Sequence, residues 1–369
     1  MAGGSTIYFA GGGTGGHLFP GLAVAQEWRI RSPEDVIVFA GSDRGLERKI
    51  VESAGFEFRS LPAVSLAHAL RSPLRFLSGN WTAYRTARQW LRVERPRGIV
   101  GLGGYAIAPL VLAAQRQKIP VVLLEQNVIP GRTNRWLARR ATKVCCAFPD
   151  SARHFPLPER SVWTGNPVRQ EIAALHQAAL HQEERPPQEP PVLLILGGSL
   201  GAVAVNRLCL QAAERIPEFR TWKIMHQTGE QDFENVRTEY ERLGIAAEVA
   251  PFFDRMEQRY AAATLSVSRA GGTTLAELSC AGIPTLLVPY PHAADDHQMY
   301  NGKYYADRGG AVLHSQAEWE GNNAELFCQT LNSLMATPDK LVPMRNVMSG
   351  LAKPRATQEV ADVLRQVMT

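Results

Sequence analysis

The sequence predicts an α/β protein made of two Rossmann-like domains in tandem, each with a parallel sheet. Three observations predict it. The chain has 369 residues, and at about 150 residues per domain that length calls for two cores rather than one. Short apolar runs alternate with helical stretches along the whole chain, which is the pattern of βαβ units. A glycine-rich turn follows the first apolar run of each half, GGGTGGH at Gly11–His17 and GGSLGA at Gly197–Ala202.

The elements justify this in order. TIYFA reads as a strand, the first glycine turn follows, and LFPGLAVAQEW has the apolar spacing of a helix. DVIVFAG, RGIVGLGG and VVLLEQN continue as strands separated by helical segments. After GNPVR (Gly165–Arg169) and the proline-rich RPPQEPP (Arg185–Pro191) the plan restarts with VLLILGG and the second glycine turn, then WKIMHQTG, TLSVSRAGG and TLLVPY. GNP, or the stretch shortly after it, is the expected hinge, and the first domain is placed at 1–166 and the second from 167 onward.

Hydrophobic residues make up 45% and charged residues 20%, the balance of an ordinary globular chain. No apolar run approaches the roughly 18 to 20 residues that cross a bilayer, and the N-terminus lacks a signal peptide's basic flank, so a cytoplasmic protein is expected. Cys145, Cys146, Cys209, Cys280 and Cys328 show no CxxC spacing, and no HExxH occurs. Neither a disulfide framework nor a metal site is expected. Charge is uneven: residues 1–166 carry +11 and the remainder −6, within a total of +5. Between Glu57 and Glu94 there is no acid, while Arg59, Arg71, Arg75, Arg85, Arg88 and Arg92 lie among Leu70, Leu74, Phe76, Leu77, Trp81 and Trp90. That mixture suits an anionic membrane surface; it also suits a solvated helix face with its own core stripe. No nucleic-acid motif accompanies the charge.

The first turn places glycine at five of the six positions from Gly11 to Gly16. Glycines let a backbone approach a ligand, and the helix start that follows attracts negative charge. GxGxxG is formally present, but the second strand runs into Gly41 and Ser42 where a dinucleotide site wants an acid for the ribose. His17, at a helix start, gains nothing from the dipole as a cation and is expected to be neutral and able to accept a proton. Glu125, Gln126 and Asn127 fall at the carboxyl end of a strand, where open parallel sheets bind ligands. GGSLGA is a second anion turn, with the Ser199 hydroxyl and a helix beginning near Ala202. In SRAGGTTLAELSCAGIP, Thr273 or Thr274 is the expected cap, Gly282 ends the helix, and Glu277 is placed to accept hydrogen bonds from two ribose hydroxyls. HAADDHQMYNG brings His297, Gln298 and Asn301 to the start of another helix, as candidates for orienting sugar hydroxyls.

GGGTGGHLFPGLAVA, GGYAIAPLVLAA, EQNVIPGRTNRWLA, GNPVR, GGSLGA and SRAGGTTLAELSCAGIPTLLVPYPHAADDHQMYNG together resemble the peptidoglycan N-acetylglucosaminyltransferases, in order and spacing from about residue 6 to 315. The resemblance implies the GT-B architecture, two Rossmann-like domains facing across a cleft. It implies a terminal helix at about 350–369 returning to an acceptor- and membrane-facing first domain, and a UDP-sugar domain at 167–349. It implies inverting transfer of N-acetylglucosamine from UDP-N-acetylglucosamine to the muramoyl 4-hydroxyl of undecaprenyl-diphospho-muramoylpentapeptide, without cofactor, at the cytoplasmic face of the bacterial inner membrane. Donor contacts carried over by position are Thr14, Gly15, Gly16, Asn127, Arg169, Ser199, Phe253, Glu277 and Gln298; His17, Glu125 and Asn127 are the catalytic candidates. Asp296 and Leu200 depart from the family's usual Asn and Gln. The sequence has no DxD motif, so Ser199, Arg169 and the second glycine turn are expected to stabilise the departing diphosphate. Alternatives are transfer of another hexose to a different lipid, and a nucleotide-sugar sensor without turnover.

Overall fold

The computed structural model describes residues 4–12, 15–42, 45–65, 72–180, 190–197, 201–315 and 323–368. Two compact units emerge: residues 1–169 with 355–369, and residues 170–354.

In the first unit the order is β1 (Thr6–Gly11), α1 (Gly15–Arg31), β2 (Val36–Gly41), α2 (Gly45–Ser53), β3 (Glu57–Ser60), α3 (Pro73–Glu94), β4 (Gly98–Gly103), α4 (Ala108–Arg116), β5 (Val121–Glu125), α5 (Arg132–Leu137), β6 (Lys143–Cys146) and β7 (Ser161–Trp163). The seven strands are all parallel, in the order β3-β2-β1-β4-β5-β6-β7. Helices cover both faces, so β4 and β5 are buried along their whole length and read as apolar or glycine runs, broken only by Glu125 at the end of β5. Alternate residues feed two cores. Tyr8, Val38 and Ile99 face one with α3 and α4; Ile7, Phe9 and Phe39 face the other with Trp28 of α1.

The second unit runs α6 (Gln170–Leu180), β8 (Val192–Leu196), α7 (Val203–Arg215), β9 (Lys223–Gln227), α8 (Phe233–Arg242), β10 (Ala247–Ala250), α9 (Met256–Ala262), β11 (Leu265–Ser268), α10 (Gly272–Cys280), β12 (Thr285–Leu287), α11 (His297–Ala306), β13 (Ala311–Leu313), α12 (Asn323–Met335) and α13 (Leu341–Gly350). Its six strands are parallel in the order β10-β9-β8-β11-β12-β13. The last helix, α14 (Ala356–Met368), belongs to the first unit, where Val360, Leu364 and Met368 join the core of Ile7, Phe9 and Trp28.

The units divide after Arg169, shortly after GNP and beyond the 166 boundary, and the return begins at Arg355 rather than near 350. The cause is local: Thr357 Oγ1 of α14 donates to the Val168 carbonyl at 2.9 Å, which ties the GNPVR segment to the first unit. Five strands have no clear counterpart in the sequence reading, β3, β6, β7, β10 and β13. Each has three or four residues, too few to display a period.

Both sheets reverse their strand order beside their first strand, between β1 and β4 in one and between β8 and β11 in the other. Those are the switch points at which open α/β sheets bind ligands, beyond the strands' carboxyl ends. Gly11, Gly12, Gly15 and Gly103–Tyr105 lie at one switch point. Gly197, Gly201 and Arg269–Gly271 lie at the other.

Candidate functional site

In the first unit, α1 opens at Gly15, and His17 is its third residue. The ring packs on Gly103: a Cβ there would lie 2.7 Å from His17 Cδ2 and 3.1 Å from Nε2, and Gly103 has φ +108. Gly104, at φ +80, would meet the Gly12 carbonyl at 2.6 Å. Only glycine combines those torsions with that proximity. The two glycines of GGYA therefore let β4 close directly under the first turn and seat the imidazole. Gly15 and Gly16 are placed at the same helix start; Thr14 lies outside the described residues.

β5 delivers Glu125 to its carboxyl end, 3% exposed. Oε1 accepts from the Asn127 backbone N–H at 3.0 Å and its side-chain amide at 3.1 Å. Oε2 accepts from Gly131 N–H at 3.1 Å and Asn134 Nδ2 at 2.9 Å. Burial pushes the carboxyl above its ordinary value, against the downward pull of these four donors. Glu125 thus holds the loop 126–131 that presents Asn127, and it is turned inward rather than toward a ligand. Gln126 is likewise buried and donates to the Leu102 carbonyl at 3.2 Å, linking this loop to β4.

Arg169 was expected with the donor-binding half; the structure places it in the first unit, its guanidinium 5.9 Å from the centre of the Phe19 ring on α1. Ser199 lies outside the described residues.

In the second unit, α10 starts at Gly272 with Gly271 as its N-cap and no side-chain cap bond, so neither Thr273 nor Thr274 caps it. Glu277 is nearly buried, at 9% exposure, and Tyr260 Oη of α9 donates to its Oε2 at 2.9 Å. The phenol fixes one carboxylate oxygen and so orients the other. Arg269 donates to the Val288 and Pro289 carbonyls, both at 3.0 Å, and burial pulls its guanidinium down to about 10. Those bonds set the course of the loop toward α11. There Gln298 Oε1 accepts the Tyr290 N–H at 2.9 Å, which polarises the side chain so that its amide N–H groups are the ones offered onward. Asp295 and Asp296 both adopt φ 51 just before the helix, a left-handed geometry that costs non-glycine residues energy and recurs at functional loops. Asn301, expected beside the sugar, is fully buried and donates to the Ala270 carbonyl at 3.2 Å. Phe253 is buried, and its N–H donates to Gln227 Oε1 at 3.1 Å, so a base contact by this backbone falls to its carbonyl.

Three groups that shape the site escaped the sequence reading. Asn134 and Gly103 lie inside motifs already singled out and were missed only as individuals. Tyr260 had no signal at all, because in sequence it is one more apolar position of a short helix. Among the described residues no cluster of three or more His, Cys, Asp or Glu is arranged to hold a metal ion, and no helix is long and apolar enough to cross a membrane.

Two family models match. The glycosyltransferase family 28 N-terminal domain covers residues 7–146, and the family 28 C-terminal domain covers 192–360. The UDP-N-acetylglucosamine–N-acetylmuramyl-(pentapeptide) pyrophosphoryl-undecaprenol N-acetylglucosamine transferase of Geobacter metallireducens is 39% identical over 96% of this chain and 97% of its own. The enzyme of the same name from Stutzerimonas stutzeri is 38% identical over 98% and 99%. Among solved structures, the MurG of Acinetobacter baumannii superposes with a TM-score of 0.77 at 30% identity, covering 98% of this chain and 99% of its own. Two parallel doubly wound sheets, a glycine turn at each switch point and this full-length similarity lead to one assignment: the chain belongs to glycosyltransferase family 28, has the GT-B fold, and is a member of the MurG family of N-acetylglucosamine transferases.

Proposed function

We infer that the chain transfers N-acetylglucosamine from UDP-N-acetylglucosamine to the muramoyl 4-hydroxyl of undecaprenyl-diphospho-muramoylpentapeptide, with inversion, giving the disaccharide lipid precursor of peptidoglycan. The observation that carries this reading is the full-length match to transferases named for that reaction, which spans both glycine turns and Glu277 alike.

In the proposed reaction the donor nucleotide binds the second unit. Glu277, oriented by Tyr260, takes the ribose hydroxyls, and the Phe253 segment meets the base. The positive end of α7, with Ser199, receives the diphosphate. Gln298 donates to sugar hydroxyls; Thr14, Gly15, Gly16, Asn127 and Arg169 complete the donor contacts from the first unit. The acceptor oxygen attacks the anomeric carbon from the face opposite UDP, its bond forms as the bond to the diphosphate oxygen breaks, and UDP departs with that electron pair. His17 takes the hydroxyl proton. Glu125 positions Asn127 and is not the base.

The acceptor is lipid-linked, and α3 has the surface to reach it at the cytoplasmic face of the inner membrane. Leu74, Leu77 and Trp81 are 81%, 63% and 62% exposed along one stripe. Arg85, Arg88 and Arg92 line a shallow groove with Trp81. Lipid-facing anchors flanked by cations are the composition of a peripheral membrane surface.

The rival readings separate in one assay in which donors and acceptors are exchanged. Turnover with UDP-N-acetylglucosamine should exceed that with UDP-glucose or UDP-galactose by at least about a hundredfold, since a site built to hydrogen-bond the donor rejects analogues that leave its groups unpaired. Preference for another hexose with diacylglycerol would move the assignment to a different lipid transferase, and binding without turnover of any pair would make the protein a sensor.

A further inference from the structure

β9 ends in His226 and Gln227, followed by Thr228, and these three residues tie together the two loops assigned above to the diphosphate and the base. Asn206, on the first turn of α7, donates through Nδ2 to the Thr228 carbonyl at 3.1 Å and to Asp232 Oδ2 at 2.8 Å. Both partners only accept, so the amide orientation is fixed and Oδ1 is left as an acceptor. His226 Nε2 lies 3.0 Å from that Oδ1 and must carry the proton. Nδ1 then accepts from the Tyr240 hydroxyl at 3.1 Å. His226 and Asn206 have no solvent exposure, and burial pulls the imidazole down to about 3, which keeps it neutral.

What these hydrogen bonds hold is the position of the two described ends of the second glycine turn, Gly197 and Gly201. The Thr228 carbonyl that Asn206 grips would lie 2.7 Å from a Cβ on Gly201, a residue at φ +77. Gly197 N–H donates to the Gln227 carbonyl at 3.1 Å, so the turn is pinned at its other end by the same strand. The Gln227 side chain reaches the opposite way, to Phe253 N–H. One strand end thus meets both loops. An apolar residue at 226 would take a hydrogen-bond partner from the buried Asn206 Oδ1 and from the Tyr240 hydroxyl. A fully satisfied polar network instead sets a single geometry, and it is costly if any member is lost.

We propose that His226 is a positioning residue for the donor nucleotide: through Asn206 and Thr228, and beside Gln227, it holds the diphosphate turn and the base loop in one register. This rests on the reading of the second unit as the donor-binding unit.

The test is calorimetric titration of the full-length protein with UDP, together with steady-state kinetics and thermal melting, on His226→Leu, His226→Gln, Leu331→Ala and Glu277→Gln. Loss of a buried hydrogen-bonded member should weaken UDP binding and raise donor KM on the order of tenfold in His226→Leu. Acceptor KM and kcat at saturating donor should stay within about twofold. His226→Gln, whose amide can donate to Asn206, should recover most of the affinity. Leu331→Ala, a truncation at a fully buried apolar position on α12, should lower the melting temperature without changing UDP affinity. The proposal is overturned if His226→Leu melts earlier yet binds UDP as the unmodified protein does, or if Leu331→Ala weakens UDP equally. Should the leucine variant fail to fold, His226→Asn, too short to reach Asn206, is judged by the same criteria. Glu277→Gln separates the layers. If it leaves UDP affinity unchanged, the donor-site reading fails and this proposal with it; if it weakens UDP while the His226 variants do not, only the positioning role falls.

Discussion

A carboxylate that accepts four hydrogen bonds inside the protein has little to offer a reacting proton. Glu125 is such a group, whereas His17 stands at the first glycine turn with its ring against Gly103. The two roles leave different marks on a pH–rate profile, because a general base contributes the acid limb of kcat/KM and a loop organiser does not. His17→Ala should lose about 10² to 10⁴ in kcat and flatten that limb while UDP affinity holds. Glu125→Gln should lower the rate through a disordered Asn127 loop yet keep the limb where it was. A limb that vanishes in Glu125→Gln and survives in His17→Ala would exchange the assignments. Sequence marked both residues as catalytic candidates, but burial and donor count, which set them apart, are properties of the folded loop.

At the scale of elements, α3 presents Leu74, Leu77 and Trp81 to solvent at one end while being anchored at the other. Arg59 of β3 donates to Tyr8 Oη at 2.6 Å and also pairs with Glu94 at the helix end, and Tyr8 Oη donates to Glu94 Oε2 at 2.7 Å. Burial and this carboxylate push the Tyr8 phenol well above its ordinary value. So Arg59, expected in the basic surface, serves as an internal anchor; Leu70 and Arg71 lie outside the described residues. Co-sedimentation with vesicles is expected to be strong for anionic lipid, to fall with salt as a screened interaction does, and to drop at least about tenfold in a Leu74→Glu/Trp81→Glu variant that still turns over a detergent-soluble acceptor. Unchanged sedimentation of that variant would assign the stripe to another partner. The composition of α3 was visible in the sequence, but which residues point outward depended on where Ala83, Ala87 and Leu91 found the core.

For the whole molecule, the tandem α/β plan was legible because buried parallel strands are apolar throughout and each half opens with a glycine turn. The β9 network was not legible, because a histidine in an apolar run carries no mark of what it will face. That network also makes stability respond to pH. The folded-state value of His226 lies near 3 and the ordinary value is 6.5. Between those limits the unfolded chain binds the extra proton, so this contribution is complete above about pH 6.5 and is lost as pH falls toward 3, by up to about 1.4 kcal/mol per pH unit. Melting of the unmodified protein from pH 6.5 to 4.5 should therefore steepen relative to His226→Leu; parallel curves would show that the imidazole is not held neutral.

The central claim is the reaction itself. Purified protein is incubated with UDP-N-acetylglucosamine and a lipid-linked muramoylpentapeptide, and UDP release is followed with the mass of the lipid product. The account predicts one UDP released for each lipid that gains a single N-acetylhexosamine. UDP release with no change in lipid mass, or donor binding with no release, would contradict it.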